Sequence, residues 1–112
     1  MPRIAVHPGK MLAEELAALG VSPSELARQI EVPPNRISQI INGKRAITGD
    51  TALRLAHWFK TTPELWLDLQ TAFDLHIAED AAGRAIGSLP TRVGKARSIE
   101  HAFHPRKIHR TG

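Results

Sequence analysis

Between Ser22 and Arg45 two short apolar periodicities flank the break Val32-Pro33-Pro34, and no other stretch narrows the fold so much. The first opens with a complete helix-start signal. Ser22 fits the N-cap, Pro23 the first helical position, and Glu25, three residues after Ser22, completes the pattern of a capping box. Leu26, Ala27 and Ile30 mark its inward face, and it is expected to end near Glu31. Val32 is pushed out of the α region by the proline that follows, and one of the two prolines suits the first turn of the next helix. There Ile37, Ile40 and Ile41 stand at i, i+3 and i+4, a face that must be buried against the second and fourth helices. Asn35, Arg36, Ser38, Gln39 and Asn42 are thereby forced outward. Gly43, free to take positive φ, ends the segment.

The flanking sequence supplies three more helices and no β alternation, so the fold class is all-α with five helices. The first runs from Pro8-Gly9 to a stop at Gly20, with Leu12, Leu16 and Leu19 at helical spacing and Glu14-Glu15 near its start. The fourth, over 49–60, is capped by Thr48 or Asp50 and buries Leu53, Leu55 or Ala56, and Phe59. The fifth opens at Thr61-Thr62-Pro63-Glu64, places Leu65, Trp66, Leu69, Phe73 and Ile77 on its apolar positions, and fades around 79–83. Beyond it Gly, Pro, Arg and His interrupt any period. The expected organisation is a folded domain over 1–83 and a flexible basic tail over 84–112.

Charge follows the same division. Residues 1–79 hold 8 Lys/Arg against 9 Asp/Glu, whereas residues 80–112 hold 7 against 2. A balanced body with a basic tail fits a polyanionic partner, although solubility alone tolerates it. The outward residues of the third helix are more specific. They are short or planar side chains that donate and accept, the types that pair with base edges in a major groove, where a face built for solubility would be richer in Lys and Glu. A plain solvated face is the competing reading for Asn35, Ser38 and Gln39, an ion pair with Glu31 for Arg36, and an ordinary charged loop for Lys44-Arg45.

Other classes find little support. Cysteine is absent, which removes disulfides and thiolate chemistry. No apolar run approaches a membrane span, and Met1-Pro2-Arg3-Ile4 lacks a secretory h-region, so a cytoplasmic location without membrane contact is expected. No catalytic constellation or Gly-rich phosphate loop stands out, which argues against an enzyme and against a cofactor. His101, His104 and His109 have a spacing that would interest a metal, but Arg106, Lys107 and Arg110 among them repel a cation, and no metal is expected. His7 and His57 read as ordinary surface or boundary residues. Trp58, Phe59, Trp66 and Phe73 read as core and dimer packing. The fifth helix carries Glu64, Asp68, Asp74 and Glu79 and no cation over 63–79. It is expected to do protein work, with dimerisation through Trp66, Phe73 and Ile77 and with Asp68 and Asp74 available to a basic partner.

The stretches His7-Pro8-Gly9, Ser22-Pro23-Ser24-Glu25-Leu26-Ala27, the whole of Val32 to Thr48, Asp50 to Ala56, Pro63-Glu64-Leu65-Trp66-Leu67 and Leu69-Gln70 together resemble the HigA-type antidote subfamily of the lambda-repressor-like, or XRE, helix-turn-helix proteins. Roughly 70 residues of the body take part, in order and with preserved spacing. The resemblance implies a sequence-specific antitoxin that represses its own promoter and neutralises a small, basic, mRNA-cleaving toxin; a stand-alone XRE-type repressor is the alternative. It implies base reading by Asn35, Arg36, Ser38 and Gln39, and phosphate contacts from Ser22, Pro23, Asn42, Lys44 and Arg45. It also implies double-stranded DNA with a pseudo-palindromic operator, bound by a homodimer. The family commonly has Gly where this chain has Glu31. A left-handed Glu31 costs on the order of 1 kcal/mol.

Overall fold

In the computed structural model, which describes residues 6–92, five helices follow one another: α1 (Pro8–Leu19), α2 (Pro23–Gln29), α3 (Arg36–Ile41), α4 (Gly49–Phe59) and α5 (Pro63–Gly87). The described residues contain no strand. The tail histidines at 101, 104 and 109 lie outside the described residues, as does everything from 93 on. The fifth helix, however, runs past the expected fade at 79–83 to Gly87. Its later turns hold Ala81, Ala82 and Ala85, and the single Gly83 costs only about 1 kcal/mol against Ala, which is too little to stop a helix already under way.

Most starts and stops are written locally. Ser22 accepts from the Glu25 N–H at 3.1 Å, Thr48 from Thr51 at 3.5 Å and Thr62 from Leu65 at 3.3 Å, each tying down an orphan donor of a first turn. Thr48 is therefore the cap of α4. The reciprocal half of the Ser22 capping box is not made. Glu25 turns instead to Arg28 and to Gln29 Nε2 at 2.7 Å, and these bonds, Arg28 first, hold its carboxyl below the ordinary range. The stops share one geometry. Gly20, Glu31, Gly43 and Lys60 all have φ between 59° and 73°, and after α1, α2 and α3 the next residue's N–H bonds back across the last turn: Val21 to Leu16, Val32 to Ala27, Lys44 to Gln39. These are Schellman endings. Two of the four left-handed positions are not glycine, so only two were legible as stops.

Leu12, Leu16, Leu26, Ala27, Ile30, Ile37, Ile40, Ile47, Ala52, Leu55, Ala56 and Trp66 form the buried core. The third helix rests on α1 and α2 rather than on α4, while α4 packs on α5. Gly9 explains the closeness of α1: a Cβ there would meet the Ile40 carbonyl oxygen at 2.0 Å. Three expected core residues point elsewhere, since Leu19, Leu53 and Ile77 are each about half exposed or more. No helix among the described residues is long and apolar enough to cross a membrane.

Candidate nucleic-acid interface

Helix α3 has six residues, too few to be stable alone, so packing must hold it in place. Ile37 and Ile40 are fully buried and Ile41 is partly buried against the core. With that side fixed, Asn35 at the N-cap is exposed, Arg36, Ser38 and Gln39 are half-buried, and Asn42, Lys44 and Arg45 are exposed. The four residues expected to read bases thus share one outward side. Asn35 forms no side-chain cap bond, which leaves its amide free. Ser38 Oγ donates to the Asn35 carbonyl at 3.2 Å, and Arg45 Nε donates to Gln39 Oε1 at 2.9 Å. The expected alternative partner for Arg36 is not taken up: among the described residues the ion pairs are Lys10–Glu14, Arg28–Glu25, Arg54–Asp50 and His76–Asp80. Ser22 and Pro23 stand at the start of α2, with the Ser22 hydroxyl engaged as cap.

Two residues outside the expected site hold it in position. Arg54 of α4 is bound to Asp50 at 2.9 Å and donates from Nη1 to the carbonyls of Ile30 at 2.8 Å and Glu31 at 3.4 Å. It thereby grips the left-handed turn between α2 and α3. Gln70 of α5, buried, accepts from the Ile47 N–H at 2.8 Å and donates to Asp74 at 3.0 Å. That bond anchors the loop that carries Lys44 and Arg45. The sequence shows an Asp/Arg pair at i, i+4 and a lone amide one turn after Trp66, but neither spacing points to the distant backbone groups that these side chains hold.

The residues expected to bind protein partners are divided by the structure. Trp66 is 1% exposed, donates to Thr61 Oγ1 at 3.0 Å and lies against Phe59. It is core and offers no surface to a second chain, because a buried indole satisfied within its own domain has nothing left to contribute. Phe73 is half-buried with its ring edge-to-face on His7, centroids 4.9 Å apart, and Asp74 is committed to Gln70. Asp68 and Ile77 are exposed. His7 itself caps α1, its Nδ1 accepting from Gly9 N–H at 2.9 Å. Partial burial pushes its pKa below the ordinary value, against the opposing pull of Asp74. The described residues hold no cluster of groups able to take a metal.

A helix-turn-helix family model matches residues 12–66, which spans α1 to the start of α5. Virulence-associated protein I of Dichelobacter nodosus is 47% identical over 76 residues, covering 67% of this chain and 70% of the relative. An addiction module antidote protein of a HigA family from Coxiella burnetii superposes with a TM-score of 0.77 at 47% identity, over 80% of this chain and 99% of that one. The chain belongs to the HigA-type antitoxin family of helix-turn-helix proteins. Another structure of this kind, antitoxin GraA in complex with its operator, matches with a TM-score of 0.75 at 40% identity, over 84% of this chain and 97% of that one. The family match covers the whole of the outward face described above and ends at residue 66, early in α5.

Proposed function

We propose that this chain is an antitoxin that binds and represses its own promoter as a two-fold dimer and neutralises a small RNase-type toxin by direct contact, acting in the cytoplasm without catalysing a reaction. The observation that carries the DNA half is the fixed face of α3. Two isoleucines buried to completion leave Asn35, Arg36, Ser38 and Gln39 no orientation but outward, with no carboxylate of the described residues paired to Arg36 or Lys44. Such a face inserts into a major groove, with Lys44, Asn42 and the start of α2 over phosphates. Relatives solved with their operators support the reading.

Dimerisation belongs to the distal part of α5. Along α5 Ala72, Leu75, Glu79, Ala82 and Ile86 repeat at alternating steps of three and four, a coiled-coil seam, and Leu75 and Ile86 are each more than half exposed, as is Leu89 just beyond the helix. This seam replaces the expected Trp66–Phe73–Ile77 face: Trp66 is buried, and Ile77 projects from the opposite side of the helix. For two reading helices to enter successive major grooves, the dimer must hold them about 34 Å apart, one helical turn of DNA. The acidic face of α5, with Glu64 and Glu79 exposed, is the surface we assign to a basic toxin.

The decisive experiment titrates the purified chain into a duplex of its own promoter at several salt concentrations, beside co-purification with the product of the adjacent gene. Saturable, sequence-selective binding whose affinity falls steeply with salt is expected. Equal affinity for promoter and unrelated duplex at low salt defeats the repressor reading; failure of the neighbour to co-purify or to be neutralised defeats the toxin half.

A further inference from the structure

One contact on the α3 face changes what its glutamine can recognise. Arg45 Nε lies 2.9 Å from Gln39 Oε1. The facing atom is fixed by chemistry: an arginine side chain has only donors, so the amide must turn its oxygen towards it. The backbone brings the pair together. Gly43, left-handed, folds the chain back at the end of α3, and Lys44 N–H donates to the Gln39 carbonyl at 2.8 Å. The loop is held from below by Ile47, whose N–H is bound to Gln70.

A free glutamine amide offers a donor and an acceptor side by side, which matches adenine, whose major-groove edge shows an N7 acceptor beside an N6 donor. Here the acceptor is occupied. What Gln39 and Arg45 still present is the Nε2 amide and the two Nη groups, all of them donors. The second lone pair of Oε1 does not restore adenine, because the N6 amino group would have to approach beside a guanidinium whose own N–H groups repel it. Cytosine shows a donor, and thymine a single acceptor next to a methyl. Only guanine presents two adjacent acceptors, N7 and O6.

We propose that Gln39 and Arg45 act as one donor-only unit that selects guanine in the major groove. The proposal rests on the reading of α3 as the duplex-reading helix, and it moves Arg45 from a phosphate to a base edge. Binding-site selection from randomised duplexes, run on the full chain and on Gln39→Ala and Arg45→Ala, tests it. For the wild-type chain one position of the motif should hold guanine, enriched about ten-fold or more over adenine. Gln39→Ala should lose that preference. Arg45→Ala should shift the same position towards adenine, since the amide oxygen is released, and leave the other positions unchanged. Replacing that guanine by 7-deazaguanine, which lacks the N7 acceptor, should weaken wild-type binding about ten-fold. Adenine at the Gln39-dependent position of the wild-type motif, or an Arg45→Ala variant with lower affinity but the same motif, overturns the pairing while leaving α3 as the reading helix. No motif at all from the wild-type chain overturns both.

Discussion

The segment 22–45 and the distal half of α5 solve opposite problems. Helices α2 and α3 have seven and six residues and hide their main apolar positions, Leu26, Ala27, Ile30, Ile37 and Ile40, almost completely. Helix α5 has 25 residues and leaves Leu75 and Ile86 largely uncovered within its own chain. A short helix has no stability of its own, so it stays in place only where the rest of the domain grips it; a reading face needs that rigidity. A long helix keeps its backbone bonds without neighbours and can therefore project a seam for a second chain. Rigidity is concentrated where the DNA reading is proposed, and unspent apolar surface where assembly is proposed.

The contrast can be broken most strongly in the first region. Ile40→Ala should lower stability by about 2–5 kcal/mol, read as a fall in the denaturant midpoint, and should take DNA binding with it as α3 loosens. The paired variant Ile86→Asp should do the reverse. The melting of each subunit's body stays close to wild type, while the dimer weakens by about ten- to a hundred-fold, or about 1.4–2.8 kcal/mol, in sedimentation or light scattering. If Ile86→Asp leaves the dimer intact, the seam is not where the two chains meet.

Smaller effects sharpen the picture of the turn. Glu31 sits at φ 59° and is kept there by the Schellman bonds and by Arg54. Glu31→Gly should raise stability by about 1 kcal/mol or somewhat less, because relief of left-handed strain is partly offset by the greater freedom of glycine in the unfolded chain. An unchanged or lower melting temperature would mean that Glu31 earns its position through a contact rather than enduring it. The smallest effect is in pH. His7 is an acceptor in its neutral form, and its folded-state pKa lies below the ordinary 6.5, chiefly through burial. The unfolded chain thus binds the proton more readily. This contribution is complete above pH 6.5 and is lost as pH falls through 6.5 towards the depressed folded value. His7→Ala should flatten the dependence of melting temperature on pH across that range.

Much of the interface was legible because it is written in local spacing. The isoleucines at 37, 40 and 41, the proline break and Gly43 oblige Asn35, Ser38 and Gln39 to face outward whatever packs behind them. Arg54 and Gln70 were not legible as positioning residues, since their partners are backbone groups 23 to 24 positions away. Nor could spacing show that Gln39 and Arg45 meet, because that depends on the path of the chain after Gly43.

By itself the sequence determined five helices, the Ser22 cap of α2, the stops at Gly20 and Gly43, and the side of α3 left to solvent; each follows from interactions within about four residues. Only the tertiary structure decided that Trp66 belongs to the core and Leu53 to the surface, that α3 leans on α1 through Gly9, and that Glu31 and Lys60 take a conformation their own side chains disfavour. The physical reason is the same in each case. Periodicity states that a face must be covered, but what covers it is chosen by contacts between residues far apart in the chain.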